Sequence, residues 1–197
     1  LVNILQKHTT YEVIEPQDNQ IIEPNCIYVS PADYHMIVQD DYIYLSHSSC
    51  VNYARPSIDL LFDSVSKTYK QNAIAILTCG YGKDGTLFLE NLKENQTEII
   101  LEDPDSCEVN HIILNAIESN HYDKIFTIEQ IISYINSKLN TCLFEEEELD
   151  KFLDDIYEYY GYDFRNYEKK SLLRRINLTK ASLGVDSFSE LKNLVFN

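Results

Sequence analysis

Three glycines and a carboxylate are concentrated in one short stretch, Thr78-Cys79-Gly80-Tyr81-Gly82-Lys83-Asp84-Gly85-Thr86. The stretch follows Ala73-Ile74-Ala75-Ile76-Leu77, an apolar run short enough to be a strand buried on both faces. Ligands and reacting groups collect at such strand ends in open α/β sheets. Asp84 has two available roles there. Its carboxylate can orient a histidine, or it can accept N–H groups and cap the helix that follows. The glycine spacing is neither a P-loop nor a dinucleotide fingerprint, so phosphate cradling is only weakly indicated.

Cys79 could act as a nucleophile, but no base is assigned to it, and a lone cysteine commonly packs as a small apolar side chain. The five cysteines, Cys26, Cys50, Cys79, Cys107 and Cys142, form no C-x-x-C pair. Neither a zinc knuckle nor a redox dithiol is expected from them, and they read as free thiols. No two of His8, His35, His47, His111 and His121 stand four residues apart in a metal-type pair, so no metal site is expected and each reads as structural or exposed. Ser46-His47-Ser48-Ser49 places hydroxyls beside an imidazole, but adjacent residues rarely form an oriented triad. Lys169, Lys170, Arg174, Arg175 and Lys180 make a basic strip on an otherwise acidic chain. The strip is either a solvated face paired with Glu145–Glu148 or a docking face for an acidic helical partner.

The elements that must position these groups can be read from periodicity. Cys26–Val29 is β-rich, and Met36–Val38 with Tyr42–Leu45 predicts a hairpin turning through acidic residues. Ile58, Leu61, Phe62, Val65 and Tyr69 share a helical face. A helix is expected over about Thr86–Asn95, a strand at Glu98–Leu101, a turn at Asp103–Asp105, a helical face on Val109–Ile117 and a strand at Ile125-Phe126. Thr127 with Gln130 forms a capping box. Alternating strands and helices with short joins imply an α/β fold with a mostly parallel, partial doubly wound sheet. From about residue 140 strands stop. Helices are expected from Glu145 to Gly161 and from Tyr167 to Gly184, and a third after the Ser187/Glu190 capping box. The organisation read from this is 1–138, a linker at 139–144, and a small all-helical module at 145–197.

The formal net charge of −16 argues against nucleic-acid binding across the surface. No apolar run approaches the roughly 20 residues of a membrane helix, and no signal-peptide pattern is present. A cytoplasmic protein without membrane insertion is therefore expected, with the reservation that a chain opening on Leu1 leaves room for a removed N-terminus.

Taken together, Asn25–His35, Arg55–Phe62, Lys83–Leu87 and Asp103–Glu108 resemble, in order, segments of the catalytic domain of CheB-type chemotaxis protein-glutamate methylesterases. Gly161–Phe164, Tyr167, Ser171–Ile176 and Leu183–Phe188 resemble the N-terminal helical domain of CheR-type methyltransferases. The resemblance implies a serine hydrolase ancestry in which Asp84 is the triad aspartate, holding the histidine tautomer. The family's serine and histidine segments precede Leu1, and His8 follows the family histidine position rather than matching it. The loop is also one residue longer than the family's, Phe88 and Gln96-Thr97 stand at family glycines, Ile112-Ile113-Leu114 replaces a Met-Pro-Arg stretch, and Leu178-Thr179 replaces an arginine pair. The expectation is a chemotaxis-like signalling module, inactive alone. The alternative is a fragment of an active methylesterase/methyltransferase hybrid. The implied partner is a methyl-accepting receptor or another acidic helical protein. No cofactor is implied in this chain, and S-adenosylmethionine only with a downstream methyltransferase domain.

Overall fold

A computed structural model describes residues 1–185 and 187–196, without the side chains of 140–144, 170, 174 and 181. In chain order the elements are α1 (Val2–Leu5), β1 (Glu12–Ile14), β2 (Gln20–Ile21), β3 (Cys26–Tyr28), β4 (His35–Gln39), β5 (Tyr42–Ser46), α2 (Ile58–Tyr69), β6 (Ile74–Leu77), α3 (Leu89–Glu94), β7 (Glu98–Glu102), α4 (His111–Glu118), β8 (Lys124–Phe126), α5 (Ile128–Tyr160), α6 (Lys169–Leu183) and α7 (Phe188–Phe196). Two compact units result, Leu1–Ile131 and the residues from Ile132 onward.

The first unit is α/β. β1 and β3 pair in parallel, β2-β5-β4 is antiparallel, and β6-β7-β8 is a parallel sheet in sequence order. The expected hairpin is β4–β5, with Gln39 opposite Tyr42. Its two turn residues, Asp40 and Asp41, have φ of 50° and 64°. A two-residue turn of this hand needs positive φ at both positions, which aspartate tolerates better than most residues. One face of α2 covers this hairpin, placing Leu61, Val65 and Tyr69 on Met36, Val38 and Ile43. Ser64 Oγ accepts from the Val38 N–H at 3.0 Å, and Thr68 Oγ1 donates to the Val38 carbonyl at 3.1 Å.

In the parallel sheet β7 is central, and its residues Ile99–Glu102 are all buried. β6 is an edge strand of that sheet and leaves Ile74 37% exposed. Both-face burial, expected of β6, thus belongs to β7, because burial follows position in the sheet more than composition. The core joins Ala75, Leu77, Ile99 and Leu101 to Leu89, Leu92, Ile113 and Ala116 from the covering helices. α3 starts at Leu89, three residues later than expected, because Thr86 Oγ1 turns back to the Lys83 carbonyl at 2.7 Å. β8 is registered by Asp123, which accepts the Ile99 N–H at 2.8 Å and pairs with Lys93.

α5 runs from Ile128 to Tyr160, and the residues 139–144 read as a linker are helical in backbone. No proline or glycine interrupts the stretch, so nothing in the chain chemistry ends the helix before Gly161, at φ +76°. Both predicted capping boxes form. Thr127 N–H donates to Gln130 Oε1 at 2.9 Å and Gln130 N–H to Thr127 Oγ1 at 3.4 Å. Ser187 N–H donates to Glu190 Oε2 at 3.3 Å and Glu190 N–H to Ser187 Oγ at 3.1 Å. The second unit's core is Leu149, Phe152, Leu153, Phe188 and Leu191. Among the described residues, no helix is long and apolar enough to cross a membrane.

Asp123 supplies a pH test of the sheet. Burial opposes its ionisation, but the Lys93 ammonium, the Ile99 N–H and the Lys124 charge together hold its carboxyl below the ordinary range. A carboxylate depressed in the folded state stabilises above its unfolded pKa, about 4, and loses that contribution as pH falls further. In urea titrations, Asp123→Asn should unfold earlier than the parent at pH 6, and the two midpoints should converge toward pH 3.

Candidate functional site

The Asp84 loop leaves the C-terminal end of β6 and is held from two sides. Toward α2, Asp84 Oδ1 accepts from Ser57 Oγ at 2.7 Å and from the Asp59 N–H at 3.2 Å, while Oδ2 accepts from the Ile58 N–H at 2.7 Å. Ser57 occupies the N-cap position of α2 but makes no capping bond of its own. Its hydroxyl is committed to Asp84, so the carboxylate caps the helix from a distant loop. Asp84 is therefore a cap, as one reading of the sequence held, but of the preceding helix. The following one, α3, begins only at Leu89 with no side-chain cap bond.

Asp59 answers from the first turn of α2. It is fully buried; its Oδ1 accepts the Leu87 N–H at 2.8 Å and its Oδ2 the Asn52 side-chain amide at 2.7 Å. Burial raises its carboxyl above the usual range, against the lowering by the Leu87, Asn52 and Gly85 donors, and the nearby Asp84 charge adds to the rise. Gly85 lets the loop lie against this corner. Its φ is +97°, and a Cβ there would sit 2.8 Å from Leu77 Cδ1 and 2.9 Å from Ile58 Cγ2.

On the other side the loop docks on the segment after β7. Leu77 is registered with Leu101, so the two strands end side by side. The buried carboxylate of Glu102 accepts the Cys79 N–H at 2.8 Å. The Gly80 N–H donates to the Val109 carbonyl at 3.0 Å, and the Ile112 N–H to the Gly80 carbonyl at 3.2 Å. Asn115 Nδ2 donates to the Gly82 carbonyl at 3.0 Å, and Tyr81 lies over His111 with ring centroids 4.8 Å apart. Cys79 and Cys107 form a disulfide with a Cα–Cα separation of 5.6 Å. This corrects the expectation of free thiols throughout. Adjacent parallel strands bring together cysteines 28 residues apart, a pairing that sequence spacing cannot reveal. Cys26 and Cys50 are free, and the Cys142 side chain lies outside the described residues. Cys79, Glu102 and Cys107 are the one grouping with metal-ligand character among the described residues, but sulfurs bonded to each other are not thiolate ligands.

No histidine ring among the described residues hydrogen-bonds Asp84, and no serine hydroxyl bonds a histidine ring. His35 is buried with Nε2 3.2 Å from the Ser49 carbonyl. His47 Nε2 lies 2.9 Å from Asp33 Oδ2, and Arg55 Nε donates to Asp33 Oδ1 at 2.9 Å. The hydrogen bonds from His47 and then from Arg55 hold the exposed Asp33 carboxyl low. Arg55 Nη1 also donates to the Ser48 carbonyl at 2.9 Å, so this group ties down the 47–55 loop. In the basic strip, Lys169 pairs with Asp150 at 2.7 Å, Lys180 lies over the Phe188 ring at 5.0 Å, and Arg175 is exposed. The side chains of Lys170 and Arg174 lie outside the described residues. Residues missed at the sequence level are Asp59, Glu102 and Asn115. Of these, Asp59 lies within the Arg55–Phe62 segment that carries the resemblance, and Glu102 closes the apolar run Ile99–Leu101 with a charge.

Asp84→Ala removes three hydrogen bonds and strands the buried Ser57 hydroxyl, so a loss of about 2–4 kcal/mol is expected. Denaturant unfolding measures it, with Asp84→Asn expected to fall between the variant and the parent. An unchanged midpoint in Asp84→Ala would refute the capping role.

The CheB methylesterase family matches residues 1–135, and the CheR methyltransferase, all-alpha domain, matches 147–197. A Leptospira interrogans protein provisionally named protein-glutamate methylesterase/protein-glutamine glutaminase is 31% identical over 65% of this chain and 67% of its own length. A Thermotoga maritima protein-glutamate methylesterase/protein-glutamine glutaminase is 28% identical, and the chain spans only 36% of it. The crystal structure of the Thermotoga maritima CheB methylesterase catalytic domain superposes with a TM-score of 0.60 at 28% identity, covering 64% of this chain and 69% of that one. The chain therefore belongs to the CheB methylesterase family, and after that domain its residues 147–197 match the all-alpha domain of CheR methyltransferases.

Proposed function

We propose that these 197 residues act as a chemotaxis-related signalling module derived from a protein-glutamate methylesterase, without ester hydrolysis of their own. The observation that carries this reading is the state of Asp84. Its carboxylate is taken up by the N-terminus of α2, and among the described residues no histidine ring hydrogen-bonds it. A triad aspartate works by holding a histidine tautomer and stabilising the imidazolium. Without that pair no hydroxyl is activated toward a methyl ester. The module would instead contribute binding through its helical unit, where the exposed Arg175 and its basic neighbours on α6 suit an acidic helical partner such as a receptor coiled coil. S-adenosylmethionine would have a place only in a methyltransferase catalytic domain beyond these residues.

A second reading has its own support. Asp84 stands at the C-terminal end of a parallel strand, in a segment that matches the family throughout residues 1–135. In a longer hybrid, a histidine supplied by other residues would share Asp84 with the α2 cap, and the same carboxylate would serve both.

Methanol release from a methyl-esterified receptor coiled coil decides the catalytic question. The 197-residue chain should give only the uncatalysed rate, and turnover would overturn the first reading. Binding to the same coiled coil, followed by fluorescence anisotropy, should weaken several-fold between about 0.05 and 0.3 M salt as screening shortens. Arg175→Glu should weaken it further, and absence of binding at low salt would remove the receptor from the proposal.

A further inference from the structure

We propose that Cys79 and Cys107 are a reversible dithiol/disulfide clamp on the Asp84 loop, a redox modification site that does not depend on whether the domain hydrolyses esters. Position is the first argument. Cys79 is the second residue after β6 and directly precedes the glycine loop, while Cys107 opens the segment against which that loop docks. The bond therefore sits at the root of a zipper made by Gly80 with Val109 and Ile112, Gly82 with Asn115, and Tyr81 with His111. Asp84 is anchored independently on α2. Closing the bond fixes the loop on both sides; opening it leaves the α4 side to a few hydrogen bonds and one ring contact.

Access and geometry are the second argument. Both cysteines are partly exposed, so a small disulfide can reach them, and their Cα separation of 5.6 Å is already that of a disulfide. The exchange balances with a low-molecular-weight disulfide as oxidant. One thiolate attacks it, forming a mixed disulfide and releasing one small thiolate. The second cysteine, after losing its proton, attacks the protein sulfur of that mixed disulfide and releases the other small thiol. Two protein thiols are oxidised, and one small disulfide is reduced to two thiols. Glu102 holds the Cys79 N–H throughout, keeping the first sulfur near its partner.

The test equilibrates the full chain across buffers of glutathione and its disulfide, quenches with a maleimide in denaturant and weighs the product. Moving to the reducing side should add two labels, and returning to the oxidising side should remove them. Neither change should occur in Cys79→Ser or Cys107→Ser. Amides of residues 80–85 should exchange about tenfold faster in the reduced protein than in the oxidised one. Both serine variants should match the reduced rate, while amides of α2 beyond its first turn stay unchanged. A bond that persists under excess reduced glutathione would overturn the switch in favour of a permanent staple. Glutathione adducts in place of the internal bond, or equal exchange in both states, would also overturn it. Stoichiometric Zn²⁺ retained by the reduced protein and lost in Glu102→Gln would replace it with a Cys79–Glu102–Cys107 metal site.

Discussion

The start of α2 presents backbone donors that its own N-cap residue leaves unsatisfied, and the architecture of the first unit turns on how they are met. A helix N-terminus combines unpaired N–H groups with the positive end of the helix dipole, so an anionic acceptor is the strongest available partner. Asp84 supplies it from the loop after β6. In return Asp59, in the first turn of the helix, accepts the Leu87 N–H from the same loop. The exchange fixes the end of β6 to the one helix that carries the β4–β5 hairpin through Leu61, Val65 and Tyr69. Burying a carboxylate in this corner is costly and raises the Asp59 carboxyl, and the nearby Asp84 charge adds to the rise. Donor groups directed at each carboxylate offset it.

The residues that the resemblance sets apart from the family pattern fit into that frame. Gln96, which the resemblance sets at a family glycine, has a φ of +64°, a left-handed backbone that strains a glutamine. Its neighbour Thr97 is buried, and its hydroxyl donates to the Lys70 carbonyl at 3.0 Å. Phe88, also at a family glycine, packs against the parallel-sheet core. Ile112, in place of the Met-Pro-Arg stretch, is buried and fills the space where a side chain on Gly80 would otherwise go.

Much of the organisation was legible in the chain itself. The hairpin, α2, the β7 run and both capping boxes follow from period, turn chemistry and side-chain reach, all of which act over a few residues. The linker expected at 139–144 rested on a change in composition, and its backbone is helical because helices end on glycine, proline or a lost face rather than on acidity alone. Asp84 was singled out by its place between glycines after an apolar strand. The carboxylate's partner was not legible, since Ser57 and Ile58 lie more than two dozen residues upstream.

By itself, then, the sequence determined the α/β class, the helical second unit and Asp84 as a residue of interest, because each is encoded in local pattern. The tertiary structure alone decided what Asp84 holds, that Cys79 meets Cys107, and that Glu102 is buried beneath them. Those pairings come from strand register and the crossing of helices over the sheet. No local spacing records which strand ends will lie side by side.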